Sequence, residues 1–517
     1  MKKQTIIVKI LTAALSASML LAGCSSAAPA SDPDAAVIHT DVQQSGNDEA
    51  DGSSVTEKGT GETFANDEDG AHAIEADGVT AEYSNATVTK TGEADGDEAD
   101  FYGENSAIFA TNGAKLTLSN MNISTNGTHA NAVFSYGEGT VVDISNSTIE
   151  TSGNCSGGLM TTGGGTMNAS NLTIHTTGNS SAAIRSDRGG GVVTVSGGNY
   201  TTEGTGSPAI YSTADITVNE ASLTSTASQG VVVEGRNSVT LNNVVLNASN
   251  TTKNSDKSDY YQAVMIYQSM SGDADTGLSE FTAKGGSISN TNGDIFFVNN
   301  TATNISLTDV DITNNGGGVF LRAAAAGWGR GGENGGKVNL TASDQTINGD
   351  LLADDVSILN LYLQDGSTLT GAINPDGEAG DVYVELTGGS KWTLTSDSYI
   401  SSLTCDADSI DLNGYTLVVA GKEYTAGTAS TGEAMEIGIS EGNAMSPDGN
   451  EPPEMNGEPP QKPDGEMPQA TDGEPPQKPD GEMPQAPNGE PPQKPDGEMP
   501  QAPNGEPPQK PDGEPPQ

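Results

Sequence analysis

Cysteine is nearly missing from this 517-residue chain, with three in all, at Cys24, Cys155 and Cys405. A framework of several disulfides is therefore excluded. Aromatic residues make up 4% of the chain, too few for a core built on large rings. Basic residues are also scarce, 21 Lys and Arg against 70 Asp and Glu, a formal charge of -49. Such a field repels nucleic acid and anionic lipid and favours solubility and divalent cations, so nucleic acid is excluded as a partner. Apolar runs long enough to cross a membrane are absent; the longest, from about Ile6 to Leu21, is short and lies at the very start. What is abundant is glycine, 66 residues, together with Ser, Thr and Asn. That composition suits short strands joined by tight turns.

The start of the chain has a pattern of its own. Lys2 and Lys3 precede the apolar run, which ends at Leu21-Ala22-Gly23-Cys24. These four residues resemble a bacterial lipobox. The resemblance implies a signal peptide over 1–23 and lipidation of the Cys24 thiol with a diacylglyceryl group, alongside further acylation by a chain such as palmitate. Two or more acyl chains hold a protein stably on a membrane, so the expected address is extracytoplasmic, lipid-anchored, at the cell surface. Residues 24–70 are acidic, rich in Ser, Ala, Asp and Gly, and without apolar periodicity, which predicts a disordered tether.

From 71 to 425 the chain repeats itself. One apolar position recurs as Ile108, Val133, Leu159, Ile184, Ile210 and Val233, and a second as Ile123, Ile149, Ile174, Tyr200, Leu223 and Leu246. Between them lie alternating segments such as Leu116-Thr-Leu118, Val142-Asp-Ile144 and Val193-Thr-Val195. Three half-buried strands in every 23 to 26 residues make one coil of a parallel β-helix. Three residues before the second apolar position stand Asn120, Asn146, Asn171, Gly197, Glu220, Asn243, Gly285 and Asp309, mostly types that tolerate left-handed backbone at a corner. Polar loops interrupt the pattern near Lys253–Asp259 and around Trp328. At about 4.8 Å per coil, about 14 coils make a rod of order 65 Å. Cys155 and Cys405 then lie roughly 48 Å apart, too far to bond, and both are expected as free thiols. Residues 426–517 lose the pattern and become a Pro, Gly and Glu tract; Gly457-Glu-Pro-Pro-Gln-Lys-Pro-Asp-Gly-Glu-Met-Pro-Gln-Ala recurs from Gly473 and Gly489. Proline at that density blocks helix and sheet, so this tail reads as a disordered spacer.

With its coil period and corner chemistry, the 71–425 region resembles right-handed β-helix surface proteins of the pectin-lyase-like superfamily, and adhesin-like bacterial lipoproteins in particular. The resemblance implies an all-β, right-handed parallel β-helix and leaves activity open, since the superfamily holds lyases, glycosidases and non-catalytic binders. Polygalacturonases of that superfamily carry Asn-Thr-Asp, Asp-Asp, Gly-His-Gly and Arg-Ile-Lys motifs. Here only Asp354-Asp355 matches, without its partners, and the Trp-x-Asp-His signature of pectate lyases is absent. The histidines, His39, His72, His129 and His175, have no metal-ligand or triad spacing. The best catalytic stretch is Ala183-Ile184-Arg185-Ser186-Asp187-Arg188-Gly189-Gly190-Gly191, for which a surface Arg–Asp pair on a turn is the favoured reading.

One further column stands out. If the first apolar position points inward, the next residue points outward. Those residues are Phe109, Phe134, Met160, Arg185, Tyr211 and Glu234, an expected exposed stripe of aromatic and charged groups that could hold an extended sugar chain or peptide. Calcium is a weaker expectation, from the carboxylates Asp67, Asp69, Glu75 and Glu93, Asp95, Asp97, Glu98, Asp100; no metal site and no cofactor are assigned. The expectation is an anchored, non-catalytic adhesin or binder of a surface polymer such as a cell-wall glycan. The rivals are a polysaccharide lyase or hydrolase and a structural spacer without ligand.

Overall fold

The structure, a computed structural model, describes residues 57–253, 256–377 and 380–439. The expected signal peptide, Cys24, the tether up to residue 56 and most of the Pro-rich tract lie outside these residues. Within them the chain is a parallel β-helix, as its periodicity predicts.

Each rung follows from local alternation. In Lys115–Ser119 the leucines 116 and 118 are buried while Lys115 and Thr117 face out. Repeating that pattern once per coil puts like on like: Leu118 pairs with Ile144, Ile144 with Ala169, and Ala169 with Val195. Along this wall thirteen successive parallel pairings join fourteen strands, from Glu57–Thr60 to Ser402–Thr404. At about 4.8 Å per step the wall is roughly 60 Å long. Strands such as Gly165–Thr176 and Gly191–Thr202 run on through the corner into the next wall, so two walls merge into one 20-stranded sheet. An 11-stranded sheet forms the third wall. The first strand, at Glu57, precedes the boundary expected at 71.

The corner column behaves as its residue types dictate. Asn120, Asn146, Asn171, Gly197, Glu220, Asn243, Gly285 and Asp309 all have positive φ, between 49° and 69°. Asn tolerates this because its short amide bonds locally, and here the amides also bond one another, Asn120 Nδ2 donating to Asn85 Oδ1 at 3.3 Å. A second turn column is glycine for a different reason. A Cβ on Gly178 would lie 1.8 Å from the carbonyl oxygen of Gly153, and one on Gly153 would lie 1.9 Å from that of Gly127.

The interior is one continuous aliphatic stack. On the 11-stranded wall it runs Ile74, Ile108, Val133, Leu159, Ile184, Ile210, Val231, Val264, Phe296, Leu321 and Leu351, all buried. The member after Ile210 is Val231, not Val233. Val231 and Val233 both face inward, so alternation could not choose between them; the coil is simply two residues shorter than expected. Cys405 is a buried free thiol. Cys155, half-exposed at a corner, does not bond it, as the axial separation required.

Candidate functional site

The expected stripe forms, but not on the surface. Phe109, Phe134, Met160, Arg185 and Tyr211 stack in register and point away from the interior. Glu234 is not the sixth member; Val232 is, and Glu234 falls on the neighbouring outward column beside Tyr267. All six expected residues are buried, Phe109 being the most accessible at 9%. The long coils fold back over them. Residues 91–106, which include the short helix Asp97–Phe101, lie on the phenylalanines, where a Cβ on Gly103 would meet both the Phe109 and Phe134 rings. Thr162 Oγ1 donates to the Phe101 carbonyl at 2.8 Å. Further along, Trp328 sits edge-on to Tyr267, ring centroids 5.2 Å apart. An apolar outward column is unfavourable in water, and covering each large side chain recovers about 1.5–3 kcal/mol. The stripe is thus a second core between wall and cover, which corrects the expectation of an exposed ligand surface.

Its charged members form a buried network. Arg185 Nη2 donates to Asp187 Oδ2 at 2.6 Å and to Asp100 Oδ1 at 3.2 Å, and Nε donates to Asp187 Oδ2 at 3.1 Å. Asp100 belongs to the cover, so this ion pair ties cover to rod. Arg188 adds a half-exposed tie, donating to Asp97 at 3.0 Å and Asp273 at 2.9 Å while lying over the Phe101 ring. The stretch 183–191 therefore holds a buried Arg–Asp pair rather than a surface one. Burial pushes the Asp187 carboxyl up, to about 7, against the opposing pull of Arg185. Burial lowers the pKa of His129, whose Nδ1 lies 3.7 Å from Asp100 Oδ1, beyond hydrogen-bond reach. Glu234 accepts from Tyr211, Tyr267 and Ser269, and burial raises its pKa despite those donors. Chemically the network can take up a proton near neutrality; it offers no open path for a polymer.

Four of the eight carboxylates considered for calcium are engaged elsewhere. Asp97 and Asp100 pair with arginines, Asp95 faces His129, and Asp69 accepts the Glu93 backbone N–H. Among the described residues no three His, Cys, Asp or Glu side chains gather as a metal ion requires.

The surface that remains open is the outer face of the 20-stranded sheet. One outward column reads Thr194, Thr217, Thr240, Thr282, Ser306, Thr341, consecutive rungs of hydroxyls. Beside it Ser84, Ser119, Ser145, Ser170 and Ser196 stack likewise. A third column carries amides bonded along the rod, Asn339 to Asn304 at 3.1 Å and Asn360 to Asn339 at 3.0 Å. That amide column continues through Tyr383 to Ser402. Sequence reasoning followed the scarce aromatics of the other wall and passed over these columns, though their Thr, Ser and Asn alternate with aliphatics in the same segments that revealed the coils.

No family model matches the chain, and no curated protein or solved structure matches it.

Proposed function

We propose that this chain is an envelope-anchored, non-catalytic binder of a linear surface polymer, with a glycan as ligand, of the adhesin-like lipoprotein kind within the pectin-lyase-like β-helices. The observation that carries the reading is the open hydroxyl and amide face. Its side chains recur at the strand spacing on a rigid wall, and each supplies both a donor and an acceptor. A polymer lying along the rod meets the same groups at every step, so many weak contacts add without the ligand bending. The chain's negative charge turns away nucleic acid and leaves neutral polymers unhindered. The lipobox resemblance at Cys24 supplies the anchor and the cell-surface address. Supporting the non-catalytic part, Asp187 and Glu234, whose raised pKa values would suit acid–base work, lie under the cover.

Retention on insoluble cell-wall polysaccharides and on a glycan array tests the reading. Thr217→Arg with Thr282→Arg, on the open face, should weaken binding of a retained polymer about tenfold or more, the loss of roughly 1.4 kcal/mol, with unchanged melting. Unchanged binding would discard this face. Release of unsaturated products or new reducing ends from polygalacturonate with calcium would replace the reading with a lyase or hydrolase.

A further inference from the structure

The described chain ends by doubling back over its own open face. Ser430 bridges Cys405 in both directions at 3.0 Å. The segment then runs toward earlier coils. Gly432 N donates to Thr404 Oγ1 at 2.9 Å and Glu433 N to Ser402 Oγ at 3.0 Å. Two rungs earlier, Asn360 grips Met435 by both ends of its amide, Nδ2 donating to the carbonyl and Oδ1 accepting from the N–H, each at 2.9 Å. Lys337 Nζ, one rung further, reaches the Gly438 carbonyl at 3.3 Å. Gly432 is glycine because of this approach; a Cβ there would lie 2.3 Å from Ser402 Oγ.

Between those anchoring rungs lies Tyr383. It alternates with the inward Val382 and Val384 and so faces out, yet it is only 3% exposed. It packs edge-on against Tyr362 with centroids 5.9 Å apart, and its hydroxyl donates to Glu385 at 2.7 Å and lies 3.1 Å from Thr404 Oγ1. An outward aromatic pair flanked by Asn360, Ser402 and Thr404 combines an apolar platform with hydroxyl and amide partners, which is what a sugar ring's two kinds of surface require. The strap itself makes no regular ladder beyond the Ser430 bridge, and most of its residues are exposed. Little apolar burial holds it down.

We propose that Tyr362, Tyr383, Asn360, Ser402 and Thr404 form the strongest glycan subsite of the rod, and that residues 432–438 are a displaceable strap occupying it. This rests on the polymer-binding reading above. The strap lies along the rod axis and satisfies the amide and hydroxyl groups that a linear glycan would use, so the two compete. A strap seated nine-tenths of the time lowers apparent affinity about tenfold.

The test compares two truncations, one ending at Ser430 and one ending at Ile439, and the full chain, for affinity toward insoluble cell-wall polysaccharide. Removing the strap should raise affinity about tenfold over the form that keeps it, and Tyr383→Ala should cancel the gain. Gly432→Val in the full chain lifts the strap without shortening the protein and should give the same gain, which covers a truncation that fails to fold. Equal binding by strapped and strapless forms overturns the strap while leaving the polymer reading intact. No binding by any form, with all of them folded, overturns both.

Discussion

Replacing Arg185 with Met removes the one cation that neutralises two fully buried carboxylates. The side chain keeps its length, but the three N–H bonds to Asp187 and Asp100 are lost. Breaking a buried pair by deleting one partner costs about 3–5 kcal/mol, because the remaining charge has neither water nor counterion. The cost has a definite pH dependence. In the wild type Asp187 titrates at about 7 when folded, against 3.8 as its ordinary value, so between those pH values the folded state holds more protons. Stability therefore falls as pH rises from about 4 to about 7 and then levels. Without Arg185 the same carboxyl loses its only strong stabiliser and its pKa climbs further. At pH 5, where Asp187 is protonated with or without Arg185, the loss should be about 1–2 kcal/mol, and at pH 8, where the wild-type carboxyl is ionised and paired, it should be larger. Urea unfolding followed by far-UV circular dichroism at both pH values measures this. Adding Asp100→Asn and Asp187→Asn should recover most of the loss, since no buried charge is then left unpaired. A loss below about 1 kcal/mol at pH 8, or a triple variant no better than the single one, would refute the reasoning, because it would mean these carboxylates reach water.

Gly178→Ala should cost at least about 1–3 kcal/mol, since its Cβ has only 1.8 Å to the Gly153 carbonyl oxygen and backbone must move; thermal unfolding against wild type checks this. Glu220→Gly should gain about 1 kcal/mol in the same assay, because Glu220 holds a φ of 52° that glycine adopts without strain. His175 sits between Glu150 and Glu203, each 3.1 Å away, and although burial opposes it, their hydrogen bonds raise its pKa above 6.5. Its contribution to stability is complete below that ordinary value and disappears as pH rises through the folded pKa. An NMR titration should show the raised value and its fall in Glu150→Gln.

The coils were legible because their causes are local. Alternation in Leu116-Thr-Leu118 sets a strand, and Asn120 or Asn146 sets a corner, whatever lies elsewhere in the chain. The direction of the Phe109–Tyr211 column followed from the same alternation. Its burial did not, because Asp100, Phe101 and Trp328 reach it from insertions whose landing place no short-range pattern specifies. The acidic run from Glu93 to Asp100 read mainly as a solvated run with calcium as the weaker reading; its Asp97 and Asp100 are in fact counterions for Arg188 and Arg185, far along the chain. Val231 and Val233 show a different limit, since two inward valines leave register undetermined until the coil length is known. Tyr383 reads as one aromatic among few, and only the returning strap gives it a role.

Threonine-methyl NMR of the folded protein, titrated with the retained polysaccharide, tests the central claim most directly. Binding along the open face should shift the methyl resonances of Thr194, Thr217, Thr240, Thr282 and Thr341. Shifts confined to Thr162, beneath the cover, or none at saturation, would contradict it.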